Sequence, residues 1–83
     1  MQKRYPTLKA RKKADDRFRL LSLGYDIYKA RTKKKMTQRE LAEKAGTKQS
    51  VIARIEAGKE NMSISRLENL AEILGRKVEV IFT

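Results

Sequence analysis

The sequence contains no cysteine and no histidine. Without cysteine no disulfide can brace the fold, and the redox compartment stays unmarked. Without histidine the commonest metal ligand and the usual general base near neutral pH are both missing. No glycine-rich phosphate loop is present either, and the carboxylates are scattered over helix surfaces or spent at helix starts. An enzyme is therefore not expected, nor a cofactor or a resident metal. No window approaches the roughly 20 apolar residues of a membrane span, and no apolar run near Met1 resembles a secretion signal. A cytoplasmic protein is expected. At 83 residues the chain makes one domain, near the lower limit for a self-sufficient core. A partner subunit is the expected source of further stability.

What the chain does have is positive charge. Its formal net charge is +11, and the distribution is uneven. Residues 1–35 hold 13 Lys or Arg against Asp15, Asp16 and Asp26, a balance of +10, whereas residues 36–83 hold 8 basic and 7 acidic residues, a balance of +1. A dense basic segment favours polyanions, because binding releases the counterions condensed on phosphates. Anionic membrane surfaces would attract it too, and a solvated tail without a ligand is the plain alternative.

Residues 1–14 alternate basic side chains with Tyr5, Pro6, Thr7 and Leu8, too few apolar groups to bury. They read as a flexible basic arm whose loss would leave the fold intact. A single domain then spans 15–83. Asp15 or Asp16 can cap a helix, and Leu20, Leu23, Ile27 and Ala30 form its apolar stripe up to about Lys34. Gly24 lowers its helix propensity by about 1 kcal/mol relative to alanine, which leaves a break there open. Thr37-Gln38-Arg39-Glu40 is a capping box, opening a short helix with Leu41, Ala42 and Ala45 inward, ended by Gly46. Thr47 is the next expected cap, for a helix from Lys48 to about Ala57 that stops at Gly58. Ser63 opens another, with Ile64, Leu67, Leu70, Ala71 and Leu74 on one face and Gly75 at its end. Val78 to Phe82 is a short β-type run. The fold class is thus mainly α, a compact helical bundle with a helix-turn-helix over about 37–57 and a C-terminal strand over about 77–82.

The second helix of that pair is the informative one. At about 100° per residue, Ile52 and Ile55 point to the core, while Ser50, Ala53, Arg54 and Ala57 point nearly opposite, with Gln49 exposed at the start. This outer face has small side chains and hydrogen-bond donors but no acid. Small residues let a helix seat deeply in a major groove, where glutamine can pair with adenine N6/N7 and arginine with guanine O6/N7.

The run from Met36 to Ser50, continued by Ile55-Glu56-Ala57-Gly58-Lys59, resembles the Xre family, the helix-turn-helix of lambdoid phage repressors and Cro proteins. The likeness covers about residues 27–75. It implies a lambda-repressor-like bundle that binds palindromic double-stranded DNA as a homodimer. It further implies a phosphate contact for Gln38, with a base also within its reach, base reading by Lys48, Gln49, Ser50 and Arg54, a DNA contact for Thr47, and a backbone grip for Lys59 and Asn61. Arg31 would pair with Glu56, a structural and not a catalytic role.

The strand after the last helix is similar to the tails of HigA- and HipB-type antitoxins. A strand with no companion in its own chain leaves a row of unpaired backbone groups. Antiparallel pairing with a second subunit is therefore expected, with Val78, Val80 and Phe82 facing the helices. The functional expectation is a DNA-binding repressor, foremost an autoregulating antitoxin with a cognate toxin as partner. The alternatives are a stand-alone regulator of a phage, plasmid or host operon, and a module that uses its basic arm on acidic lipids.

Overall fold

The computed structural model describes residues 7–11 and 16–81. In chain order these form β1 (Thr7–Arg11), α1 (Asp16–Lys33), α2 (Gln38–Ala45), α3 (Gln49–Glu56), α4 (Ile64–Leu74) and β2 (Lys77–Ile81). The helical bundle and the C-terminal strand stand as expected. Asp15, a candidate cap for α1, and Phe82 lie outside the described residues.

Local chemistry accounts for the helix ends. The Thr37 hydroxyl accepts from the Glu40 N–H at 3.0 Å, and the Glu40 carboxylate accepts from the Thr37 N–H at 2.9 Å. Hydrogen bonding from Thr37, its backbone N–H foremost and its side chain second, holds the Glu40 carboxyl below its ordinary value, since a bond donated to the carboxylate favours the charged form. Gly46 takes the left-handed conformation at φ 70° and donates its N–H to the carbonyls of α2, which turns the chain toward α3. Ser63 caps α4 by accepting from the Arg66 N–H, and Gly75 ends that helix. Ile64, expected in the core, is instead exposed. As the first residue after the Ser63 cap it lies in the opening turn of α4, before the helix meets its neighbours.

The core is built from Leu23, Ile27 and Ala30 of α1, Leu41 and Ala42 of α2, Ile52 and Ile55 of α3, and Leu67, Leu70, Ala71 and Leu74 of α4. α1 runs through Gly24 without a break. The reason for glycine there is contact. A Cβ at this position would strike the Ile55 carbonyl oxygen and come within 2.8 Å of that of Glu56. α1 thus lies directly on the backbone at the end of α3, and the propensity lost to glycine is offset by that close approach.

The largest departure is at the N-terminus. Residues 7–11, expected within a flexible arm, form β1, which pairs in parallel with β2 in the register Thr7↔Lys77, Leu8↔Val78 and Ala10↔Val80. Leu8 is 1% exposed and joins the core, with Val78 packed against the same cluster. The C-terminal strand therefore does have a companion within its own chain. The lone large apolar residue of TLKAR suffices once β2 supplies backbone partners and α1 supplies a surface. The rest of the expected arm, residues 1–6 and 12–14, lies outside the described residues.

Two outcomes check this packing. Leu8→Ala should lower stability by about 2–5 kcal/mol, as truncation of a buried leucine does, and removal of residues 1–14 should destabilise the bundle; urea unfolding of each reports it. Gly24→Ala should lower the melting temperature despite its higher helix propensity, because overpacking costs about 1–3 kcal/mol. A rise in melting temperature would mean that α1 does not touch α3 at this point.

Candidate nucleic-acid interface

α3 is positioned by its inner face. Ile52 and Ile55 are 0% and 1% exposed, so the rotation of the helix is set, and Gln49, Ser50 and Arg54 are turned outward to solvent. Ala53 is half-buried and Ala57 exposed. The helix begins one residue later than expected. Lys48, not Thr47, is the N-cap residue, with no side-chain cap bond, and no acid occupies the first turn. Thr47 is instead half-buried in the turn, its N–H donated to the Ala42 carbonyl at 2.9 Å. That bond completes the end of α2, which holds Thr47 in the turn rather than over the start of α3. The first turn of α3 is left with exposed N–H groups and the cation of Lys48, a combination that suits an anion.

Beside this helix lies a buried polar cluster. The Arg31 Nε donates to Glu56 Oε2 at 2.6 Å and its Nη2 to Glu56 Oε1 at 3.0 Å, a bidentate ion pair. Its Nη1 donates to the Met36 carbonyl at 2.7 Å, and the Tyr28 ring lies 5.5 Å from the guanidinium carbon. The side chains of Arg31 and Glu56 are only 10% and 6% exposed. Hydrogen bonding to Glu56 raises the Arg31 pKa, against an opposing effect of burial. The pair therefore joins α1 to the last residue of α3, as the resemblance implies.

Gln38, the first residue of α2, enters the same cluster. Its Nε2 donates to Glu56 Oε1 at 3.0 Å. A primary amide has two N–H groups and a carbonyl oxygen, so this bond fixes the side chain while leaving one donor and the oxygen unused. Arg54 is likewise engaged: its Nε donates to Glu60 Oε1 at 2.9 Å. Neither contact was evident from sequence. Each joins residues on different elements or across a turn, and helical spacing carries no signal for it. Lys59 and Asn61 are exposed in the loop between α3 and α4. The described residues thus gather Gln38, Lys48, Gln49, Ser50, Arg54, Lys59 and Asn61 along the start of α2, the outer face of α3 and the following loop. Val78 sits apart on β2, against the core.

Among the described residues no cluster of acidic side chains could hold a metal ion, and no helix is long and apolar enough to cross a membrane.

The ion pair makes a definite expectation. Arg31→Met leaves Glu56 buried without its cation and should cost about 3–5 kcal/mol, while combining Arg31→Met with Glu56→Leu should recover much of that loss. Denaturant unfolding of the single and double variants measures both, and equal stability of Arg31→Met and the parent would show that the pair does not bind α1 to α3.

A family model described as helix-turn-helix, HTH_3, matches residues 27–81. An immunity repressor protein of Bacillus phage phi105 is 41% identical over 61 residues, covering 74% of this chain and 42% of that protein. The chain thus spans less than half the length of that relative. Among solved structures, the restriction-modification controller protein C.AhdI of Aeromonas hydrophila superposes with a TM-score of 0.72 at 28% identity, covering 77% of this chain and 93% of that one. The clp gene regulator ClgR of Corynebacterium glutamicum gives 0.69 at 26% identity, with 80% and 67% covered. All three are regulators and none is an enzyme. With the four helices of the described residues in this arrangement and the family match over residues 27–81, the chain belongs to the Xre-like helix-turn-helix family HTH_3 of DNA-binding regulators.

Proposed function

We propose that the chain is a transcriptional repressor that reads a palindromic double-stranded operator as a homodimer. The observation that carries this reading is the outward face of α3. Gln49, Ser50 and Arg54 stand exposed on a helix whose rotation is set by fully buried Ile52 and Ile55. In this reading Gln49 and Arg54 contact bases, and Ser50 contacts a base or the backbone. Thr47, Lys48 and the free donor of Gln38 engage phosphates beside the helix N-termini, with Lys59 and Asn61 gripping the backbone from the following loop.

A dimer must place its two α3 helices about 34–36 Å apart, one turn of DNA. Because β1 occupies one edge of β2, a subunit seam at this strand would use the other edge, extending the sheet across the two-fold axis with Val78 on the helix side; the side chain of Val80, and Phe82, lie outside what is described. This differs from the isolated ribbon first expected, because each subunit brings two strands. The relatives named above favour a stand-alone regulator of a phage or host operon. The antitoxin role is a second reading. It rests on the tail resemblance, and co-purification with the product of the neighbouring gene tests it.

Selection from a pool of random duplexes should enrich an inverted repeat. Gln49→Ala should then weaken binding to that site by about 1–3 kcal/mol, the range for a good base contact, and change binding to random duplex much less. Equal losses on both would mean that Gln49 touches only phosphates. Binding to anionic vesicles with no preference among duplexes would support the lipid-surface alternative instead. Val80→Pro should weaken the dimer in analytical ultracentrifugation, since proline removes a strand N–H.

A further inference from the structure

Glu60 is an acid set among the residues that would face DNA, between Lys59 and Asn61 in the loop after α3. An acid there repels phosphates, so its presence needs a reason. Fold stability supplies little, because its ion pair with Arg54 is exposed, at 49% and 32% for the two side chains, and such pairs contribute weakly.

The geometry points to another role. The turn at Gly58 reverses the chain, with the Gly58 N–H donated to the Ile55 carbonyl at 3.1 Å and the Lys59 N–H to the Arg54 carbonyl at 2.8 Å. Those bonds bring Glu60 back beside the side chain of Arg54, which lies on the outward face of α3. Glu60 Oε1 then takes the Arg54 Nε at 2.9 Å. Contact through Nε alone has a consequence for the planar guanidinium. Its two terminal NH2 groups have no acceptor among the described residues, and they form the end-on fork that matches the O6 and N7 atoms of guanine. A long, flexible arginine would otherwise lose its rotamer freedom on binding. Holding it beforehand lowers that cost.

We propose that Glu60 is a positioning residue for sequence reading, holding Arg54 with its NH2 fork presented to a guanine in the major groove. The inference rests on the DNA reading given above and deepens it, because it names the base and the residue that sets the preference. Without Glu60, Arg54 would remain cationic but would be free to settle on any nearby phosphate.

The test uses the full chain and the duplex that the parent selects. Glu60→Ala should lower affinity for that site about fivefold or more, while affinity for random duplex holds or rises because an acid has gone. Guanine preference at the base facing Arg54 should relax. Glu60→Gln should keep most of that preference, since an amide oxygen still accepts from Nε. In an Arg54→Ala background, Glu60→Ala should cost no further specificity. Thermal melts of all variants should coincide with their backgrounds.

A parallel rise on selected and random duplexes with Glu60→Ala would overturn the proposal, leaving Glu60 as a mere repulsive charge. Equal losses for the Gln and Ala replacements, or a loss that persists without Arg54, would overturn it too. These outcomes differ from failure of the DNA reading itself. In that case the parent selects no sequence at all, and the proposal falls with it.

Discussion

The bidentate bond between Arg31 and Glu56 is the constraint on which the arrangement of the helix-turn-helix depends. Glu56 is the last residue of α3, Arg31 lies near the end of α1, and Gln38 opens α2. One carboxylate at the end of α3 therefore receives donors from both α1 and α2. Burial makes the arrangement stringent, since a desolvated charge tolerates no missing partner. The apolar core decides how α3 is rotated. The polar cluster decides where its end sits relative to α1 and to the start of α2. Gly24 completes this from the other side, because its missing Cβ admits the α3 backbone against α1. Rotation, position and distance are thus set by three different kinds of contact.

Much of this architecture was legible in the sequence because it is local. The capping box at Thr37 and Glu40, the left-handed Gly46, and Ser63 with Gly75 around α4 are short-range signals, and each marks a boundary that the structure keeps. The apolar spacing of Leu23, Ile27 and Ala30 likewise identified the inner face of α1. What could not be read was long-range. Thr7 meets Lys77 across the whole domain, and nothing within TLKAR announces a partner so distant. Its basic composition argued for solvent, and one leucine outweighed that. Thr47 misled for a related reason: a threonine before a helix is a good cap in isolation, but the hydrogen bond that ends α2 claims the residue for the turn.

The candidate site divides along the same line. That Gln49, Ser50 and Arg54 face outward follows from the 100° step of a helix once Ile52 and Ile55 are inward. That Arg31 pairs with Glu56 came from family resemblance, since helical spacing links no residues on separate elements. The engagement of Gln38 by Glu56, and of Arg54 by Glu60, could come from neither source. Both are side-chain choices made only when the backbone has already brought the groups together. Their common feature is that a prospective DNA contact is restrained by an acid before DNA arrives, so the surface is organised in advance and not merely basic.

The parallel pairing of β1 with β2 also governs the order in which the molecule can be completed. β1 is made before the four helices of the described residues and β2 after them. At about 5–20 residues per second, the 70 residues from Thr7 to Lys77 keep β1 waiting about 4–14 s on the ribosome. During that interval the helix-turn-helix can assemble from neighbouring segments, while Leu8 has no strand to hold it over the core. Non-local pairing is in general slow to form, because the loop entropy is lost before the contacts are made. A sheet that closes so long a loop is expected to form late, and exchange of the β1 and β2 amides would report its opening. A growing chain thus carries its helix-turn-helix before it carries the strand that completes the sheet over the core.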